Sequence, residues 1–357
     1  MNRTIYDLIG LSAGVMFILA LKGLSHPRTA RRGNLIGALG ATVATVTVFF
    51  YTTDGELPLN NLGWIIGAIA FGVIVGVPAA RRVQMTAMPQ LVALFNGVGG
   101  GAAALVAIVE YLKLGASATT AVVIATVFTV LVGCVSFSGS IVTFLKLQEL
   151  MTTRPVVFPG GRFVIAATLA GTLVSAGWVV NSLGTTPLLV LAGLSLLFGV
   201  LFVLPVGGAD VPIVISLLNA FTGLTVAAGG YVLDATLLII AGTLVGASGT
   251  ILTRLMAEAM GRSLFGTLFG AFTAKPQDAA GAAETRPVKS GTPDDVAILL
   301  NYARRVVIVP GFGLAVAQAQ HTVRELADLL SSKGIDCCLW HSSRCRSYAR
   351  TYECALG

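Results

Sequence analysis

Charge is the scarcest property of this chain. Of its 357 residues only 11% are Asp, Glu, Lys or Arg, while 55% are hydrophobic. An ordinary soluble domain is about 25% charged. The shortage excludes a water-soluble globule, because too little polar surface remains to cover so large an apolar mass. Most of the chain must therefore face lipid. The charge that exists is also absent from one place: no Asp, Glu, Lys or His lies near the middle of any long apolar run. A proton path inside such a bundle would need amides, hydroxyls and water, or an ionisable group from a partner. A cleavable signal pattern is missing too. The first apolar stretch is long enough to span and carries no cleavage site of small residues, so it reads as a retained helix. No internal repeat is evident.

What is there is a succession of apolar runs. A membrane span needs about 20 mainly apolar residues. Nine segments qualify, at roughly 4–24, 34–52, 61–79, 88–112, 118–145, 162–183, 187–204, 211–230 and 235–259. Short breaks separate the last four, which makes them antiparallel neighbours. The fold class is a polytopic α-helical membrane protein of about nine helices.

The net charge of +7 does not signal nucleic acid, since the basic residues sit in short loops between the runs. Alternate loops hold Lys22, Arg28, Arg31 and Arg32, then Arg81 and Arg82, then Lys146, Arg154 and Arg162, and after the last span Arg254 and Arg262. The opposite set holds Asp54 and Glu56, with Lys113 almost its only base. The excess of Lys and Arg marks cytoplasmic loops. The N-terminus is then expected outside and the C-terminal segment in the cytoplasm, as an odd span count also requires.

Small and polar residues punctuate the spans. Gly97, Gly99, Gly100 and Gly101 cluster in the fourth, and Gly242, Gly246 and Gly249 in the ninth. Such residues let membrane helices approach closely. Asn96 in the fourth span, Asn219 in the eighth, and Ser136, Ser138 and Ser140 in the fifth are polar groups at membrane depth. They read either as interhelical hydrogen bonds or as parts of a transport path. Asp210 stands at the mouth of the eighth span, where its carboxylate could cap that helix or meet a soluble domain.

From about Ala271 to Pro293 the composition turns to Ala, Gly, Pro, Lys and acids, as in a linker. A soluble βα unit follows. Asp294 to Tyr302 is a short helix with Thr292 as N-cap and Asp295 three residues on. Val306 to Val309 has a buried-strand pattern, and Ala315 to Ser332 an apolar-periodic helix, with Gly334 suited to its C-terminal cap. Between strand and helix lies Pro310-Gly311-Phe312-Gly313-Leu314-Ala315-Val316. Dinucleotide-binding turns occupy this context: one glycine makes the turn, a second lets backbone approach a pyrophosphate, and the helix N-terminus holds the charge. Val316 replaces the third glycine, so the context rather than the bare pattern supports the reading.

Together, Met85-Thr86-Ala87-Met88-Pro89-Gln90-Leu91-Val92-Ala93, the stretch Gly207 to Pro212, Asn219, and the run from Pro310 to Gln320 resemble the beta subunit of the proton-translocating NAD(P) transhydrogenases. The resemblance covers residues 1 to about 336. It implies a nine-span channel domain (1–262), a linker (263–293) and the start of a Rossmann-type NADP(H)-binding domain (294–336), in a bacterial inner membrane. It implies a separate alpha subunit that binds NAD(H), a dimer of alpha–beta units, and hydride transfer from NADH to NADP coupled to inward proton movement. In this family the Asn96 position is associated with proton conduction and is histidine in some members. Asparagine cannot titrate, so here it could only order water. Asn219 matches a second channel position. Asp210 and Arg262 match the region where the membrane part meets the nucleotide domain. Pro310, Gly311, Gly313 and Val316 match the pyrophosphate loop.

The C-terminal end departs from that pattern. The Rossmann-like segment is incomplete, and from Cys338 onward neither strand nor helix periodicity is visible. Cys337, Cys338, Cys345 and Cys354 fall in the last 21 residues, which as a bare count suggests zinc or disulfides. Back-translation favours another origin. Trp340-His341 forces a glycine codon in the +1 frame. From Cys338 that frame can read Val-Phe-Gly-Ile-His-Pro-Val-Ala-Gly-Arg-Met-Pro-Gly-His-Met-Asn-Val-Leu-Leu, which resembles the family's continuation. A frameshift near residues 336–338 would make 337–357 an out-of-frame tail and remove the metal site. Two other functions stay open at this point: a transporter or channel with a nucleotide-sensing tail, and an inactive fragment.

Overall fold

The computed structural model describes residues 3–50, 61–84, 87–261, 263, 266, 292–311, 314 and 319–339. Its contacts divide the chain into two compact units, Met1–Ala279 and Ala280–Gly357.

Among the described residues, the first unit has nine helices long and apolar enough to cross a membrane. They are α1 (Arg3–Leu24), α2 (Pro27–Phe50), α3 (Leu62–Arg82), α4 (Met88–Leu114), α5 (Thr120–Leu147), α6 (Gly161–Ser182), α7 (Thr185–Val203), α8 (Val211–Val232) and α9 (Thr236–Ala259). Eight agree with the apolar runs to within about three residues. The exception is α2, which starts at Pro27, seven residues before the run at 34. Hydropathy stops at Arg28, Arg31 and Arg32, but the helix does not. Proline suits the first helical position, and long basic side chains can reach water from a helix end.

Helix α5 is the centre of this unit: α4, α6, α7 and α8 all pack against it. Its buried face repeats at three- and four-residue steps through Thr126, Thr129, Gly133, Ser136, Ser140 and Thr143. The facing stripe of α4 is Ala93, Gly97, Gly100, Ala104, Ala107 and Tyr111. Small residues on both sides bring the backbones together. The tightest pair is α8 with α9. A Cβ on Gly242 would lie 2.7 Å from Ala227 Cα and equally close to Gly223 O, which leaves no room for any side chain. By contrast α3 buries none of its residues, and Trp64, Phe71 and Ile74 are largely exposed. Water would not tolerate such a surface, whereas lipid does.

The second unit is described by itself. Helix α10 (Pro293–Asn301) opens with a reciprocal cap: Thr292 Oγ1 accepts from Asp295 N at 3.3 Å, and Thr292 N donates to Asp295 Oδ2 at 2.9 Å. Strand β1 (Arg305–Ile308) pairs in parallel with β2 (Asp336–Leu339) across helix α11 (Gln320–Ser332), Arg305 facing Asp336 and Ile308 facing Leu339. Gly334, at φ +79°, ends α11 in the left-handed conformation. Its N–H reaches Ser331 O at 3.0 Å, and Ile335 N reaches Leu330 O at 3.1 Å. Leu330 and Ile335 are both buried there, which completes a Schellman-type stop. Two expectations change. The strand alternates exposed and half-buried residues instead of being buried on both faces, since one helix can cover one face of a two-stranded sheet. And β2 includes Cys337, Cys338 and Leu339, so strand structure runs one to three residues past the expected break in pattern.

Two outcomes test these packing arguments. Gly242→Ala should lower thermal stability in detergent by about 2 kcal/mol through overpacking, while Gly193→Ala, whose Cβ would meet nothing within 4 Å, should leave it unchanged. The second concerns pH. Hydrogen bonds from Thr292 backbone and side chain hold the Asp295 carboxyl below the ordinary carboxylate range. A depressed folded pKa means the cap stabilises fully above the ordinary value, about 4, and is lost as pH falls through the lowered one. Asp295→Ala should therefore speed amide exchange in α10 at neutral pH, and its difference from the unsubstituted protein should vanish on acidification.

Candidate functional site

Four polar residues of the bundle interior meet where α4, α5 and α8 pack together. Asn96 is 9% exposed. Its Nδ2 donates to Ser140 Oγ at 2.9 Å and to Ser136 Oγ at 3.3 Å. The Ser136 and Thr222 hydroxyls lie 2.6 Å apart, and either can donate to the other. Both also reach Leu218 O, at 3.0 and 3.1 Å. Each hydroxyl has one proton, so the same heavy atoms support two arrangements: Ser136 donates to Thr222 or Thr222 donates to Ser136, the spare proton going to Leu218 O. Asn96 Oδ1 is buried and has no hydrogen-bond partner. Turning the amide over would exchange its oxygen and nitrogen but still leave one polar atom unpaired.

This arrangement requires the glycines. A Cβ at Gly97 would sit 3.0 Å from Ser140 Cβ, and one at Gly100 would sit 3.1 Å from both Gly133 O and Ser136 Cβ. Larger residues would push α4 off α5 and lengthen every bond from Asn96. The three serines of α5 prove unequal, as a 3.6-residue period demands. Ser136 and Ser140 face Asn96. Ser138 bonds its own helix at Cys134 O and faces Gly199 of α7. Asn219 is half-buried, one turn before Thr222, and makes no side-chain hydrogen bond among the described residues.

A second polar cluster closes the end of the bundle where α5 finishes. Lys146, grouped above with the loop charges, is fully buried in the last turn of α5. Its Nζ donates to Val203 O at 3.2 Å, Leu204 O at 2.5 Å and Val206 O at 2.7 Å. These are end carbonyls of α7 and the turn after it, which lack helical partners and attract a cation. The same turn accepts Val156 N at Leu204 O (3.1 Å) and gives Gly208 N to Thr153 O (2.8 Å). It ends in a 3-10 turn, Gly208–Asp210, that leads into α8. Gln90 Nε2 adds a bond to Leu147 O at 3.2 Å. Asp210 occupies the N-cap position of α8 as expected, but its half-buried side chain makes no capping hydrogen bond and engages another residue.

In the second unit, Leu314 N reaches Gly311 O at 3.1 Å, so Gly311 begins a turn between β1 and α11. Its φ lies outside the left-handed region, and a Cβ there would meet nothing within 4 Å. Space, not backbone conformation, is what glycine provides at this position. Pro310 is half-buried beside it. Gly313, Val316 and Arg262 lie outside the described residues. Sequence reasoning missed Lys146 and Thr222. The three-and-four-residue stripe on α5 was the available signal for the hydroxyls, while nothing in the local sequence distinguishes a buried terminal lysine from a loop lysine.

Among the described residues, nine membrane-length helices, eight of them packed together around a hydroxyl and amide interior and followed in sequence by a β-α-β segment, define a polytopic membrane protein. Its relatives give that class its activity. The sequence pattern of the NAD(P) transhydrogenase beta subunit matches residues 6–339, and the chain belongs to that family of oxidoreductase subunits. Two sequences of NAD(P) transhydrogenase subunit beta from Rhodospirillum rubrum are each 41% identical to it over 333 residues, which is 91% of this chain and 71% of theirs.

Removing the ammonium tests the inner cluster. Lys146→Met should leave Val206 O without a donor among the described residues, while Leu204 O keeps Val156 N and Val203 O keeps Val206 N, and cost on the order of 2 kcal/mol, read as lowered thermal stability of the purified protein. Lys146→Arg should fall between it and the unsubstituted chain.

Proposed function

We propose that this chain forms the proton channel and begins the NADP(H) site of a proton-translocating transhydrogenase in a bacterial inner membrane. The observation that carries the reading is the Asn96–Ser136–Ser140–Thr222 net. It joins a reversible hydroxyl pair, satisfied within the protein, to a buried amide atom that has no partner among the described residues and so offers a place to water. Asn96 orders water rather than titrating, and Asn219 continues the seam on α8. Basic loops put the N-terminus outside and the C-terminal segment in the cytoplasm. There Pro310, Gly311, Gly313 and Val316 take the pyrophosphate of NADP(H), and the open space over Gly311 supports close approach of a phosphate.

An alpha subunit supplies NAD(H), and two alpha–beta units pair. Hydride passing between two nicotinamides changes free energy little, so a proton gradient can set its direction if a two-state element joins channel to nucleotide. Asp210 and Arg262 are assigned to that coupling. The residues after about 336–338 are taken as out of frame, and resequencing the gene through codon 357 tests this.

The experiment uses the chain co-expressed with its alpha subunit in sealed vesicles. Asn96→Leu should bind NADPH normally and lose proton uptake by on the order of ten-fold or more. Full uptake by that variant would overturn the channel assignment, and absence of NADPH binding by the unsubstituted complex would overturn the nucleotide assignment.

A further inference from the structure

We propose that the Tyr111 and Thr126 hydroxyls form a second internal water site, at the end of the α4–α5 seam remote from Lys146. This rests on the channel reading above and extends it along the seam. The packing contacts fix the register. Gly97 faces Ser140, Gly100 faces Ser136, and a Cβ on Gly133 would lie 3.0 Å from Ala104 Cβ. Seven residues beyond Ala104 is Tyr111, and seven residues before Gly133 is Thr126. The two therefore stand at one level of the antiparallel pair, about 22 Å from Asn96 by helical rise. Tyr111 shares an apolar cluster with Val123 and Val127, the neighbours of Thr126 on α5.

Both side chains are buried, Tyr111 at 3% and Thr126 at 0% exposure. Among the described residues the Tyr111 OH and Thr126 Oγ1 are nevertheless without hydrogen-bond partners, as is Asn96 Oδ1. Other buried threonines of the bundle do not behave this way. Thr129 donates to Ala125 O at 2.7 Å, Thr225 to Phe221 O at 2.9 Å and Thr172 to Thr168 O at 2.7 Å. Thr126 alone in that set forgoes the carbonyl of its own preceding turn. With Gln90 Oε1 on the same pair of helices, four buried polar atoms of this seam have no partner among the described residues, a heavy cost because each forfeits its full desolvation. A ligand that both donates and accepts, and fits between small residues, satisfies all of them. Water is that ligand. Between the two ends lie Thr129 and Thr225. Thr225 Cγ2 lies 3.1 Å from the Cβ position of Gly133, and Thr129 Cγ2 lies 3.6 Å from that of Gly229. It is their methyl groups that meet these glycines, while their hydroxyls bond carbonyls of their own helices.

Accessibility of a cysteine reads water directly, because the thiolate that reacts forms only in contact with it. The full chain with its alpha subunit, in membrane vesicles, is treated from each side with a small cationic methanethiosulfonate, and the modified residue is located by mass spectrometry. Thr126→Cys should react on the order of ten-fold faster than Phe128→Cys, whose position faces outward from the bundle, and from one side. Native Cys134, buried among apolar residues, should stay unmodified. Tyr111→Phe and Thr126→Val, which each remove only polar capacity, should slow proton uptake roughly five-fold with NADPH affinity unchanged. The proposal is overturned if Thr126→Cys reacts no faster than Phe128→Cys. If that variant does not insert, full proton uptake by Tyr111→Phe overturns it. Loss of uptake in Asn96→Leu together with full uptake in both hydroxyl variants removes this site and leaves the channel reading standing.

Discussion

The amide of Asn96 cannot be buried between two membrane helices unless something there meets it. The bilayer core supplies no water to an unsatisfied polar group, so partners must come from the protein. Ser136 and Ser140, one turn apart on α5, supply two of them. That requirement shapes the local packing. Hydroxyls short enough to meet the amide need the helix axes close together, and close axes need Gly97, Gly100 and Gly133 at the crossing. Thr222 then joins α8 to the same point through Ser136. Three helices are thus locked by one polar group, and the remaining amide atom is left over as a place for water.

Lys146 sets the other fixed point. Its ammonium gathers the loose carbonyls at the end of α7 and the following turn, and that turn delivers the chain to Asp210 and α8. Ser136 and Ser140 of the polar net lie on the same helix as the lysine, ten and six residues before it, or about 15 and 9 Å. A rigid rod bearing the Asn96-bonded hydroxyls at one level and a turn-holding cation at another is a physical element that two sites could both bias. The coupling assigned to Asp210 and Arg262 would act through this geometry rather than through distance alone.

Much of this was legible in the sequence, for physical reasons that can be named. Lipid leaves a strong signal in composition, so eight of the nine helices fell within a few residues of their apolar runs. Thr292 with Asp295, and Gly334 after Ser332, are local chemistry and were read correctly as caps. What failed depended on neighbours far along the chain. Ser136, Ser138 and Ser140 look alike until helix rotation assigns two to α4 and one to α7. Lys146 reads as a topological charge until the end of α7 arrives beside it. Val306 to Val309 reads as a doubly covered strand, but β1 and β2 with α11 cover one face.

The central claim is that proton movement through the α4–α5–α8 seam is coupled to hydride transfer between the nucleotides. The ratio of protons taken up to hydride transferred, measured in sealed vesicles holding the chain with its alpha subunit, tests this most directly. The account predicts a fixed, non-zero ratio that persists when the hydride rate is varied by nucleotide concentration. Hydride transfer at an undiminished rate with no proton movement would contradict it.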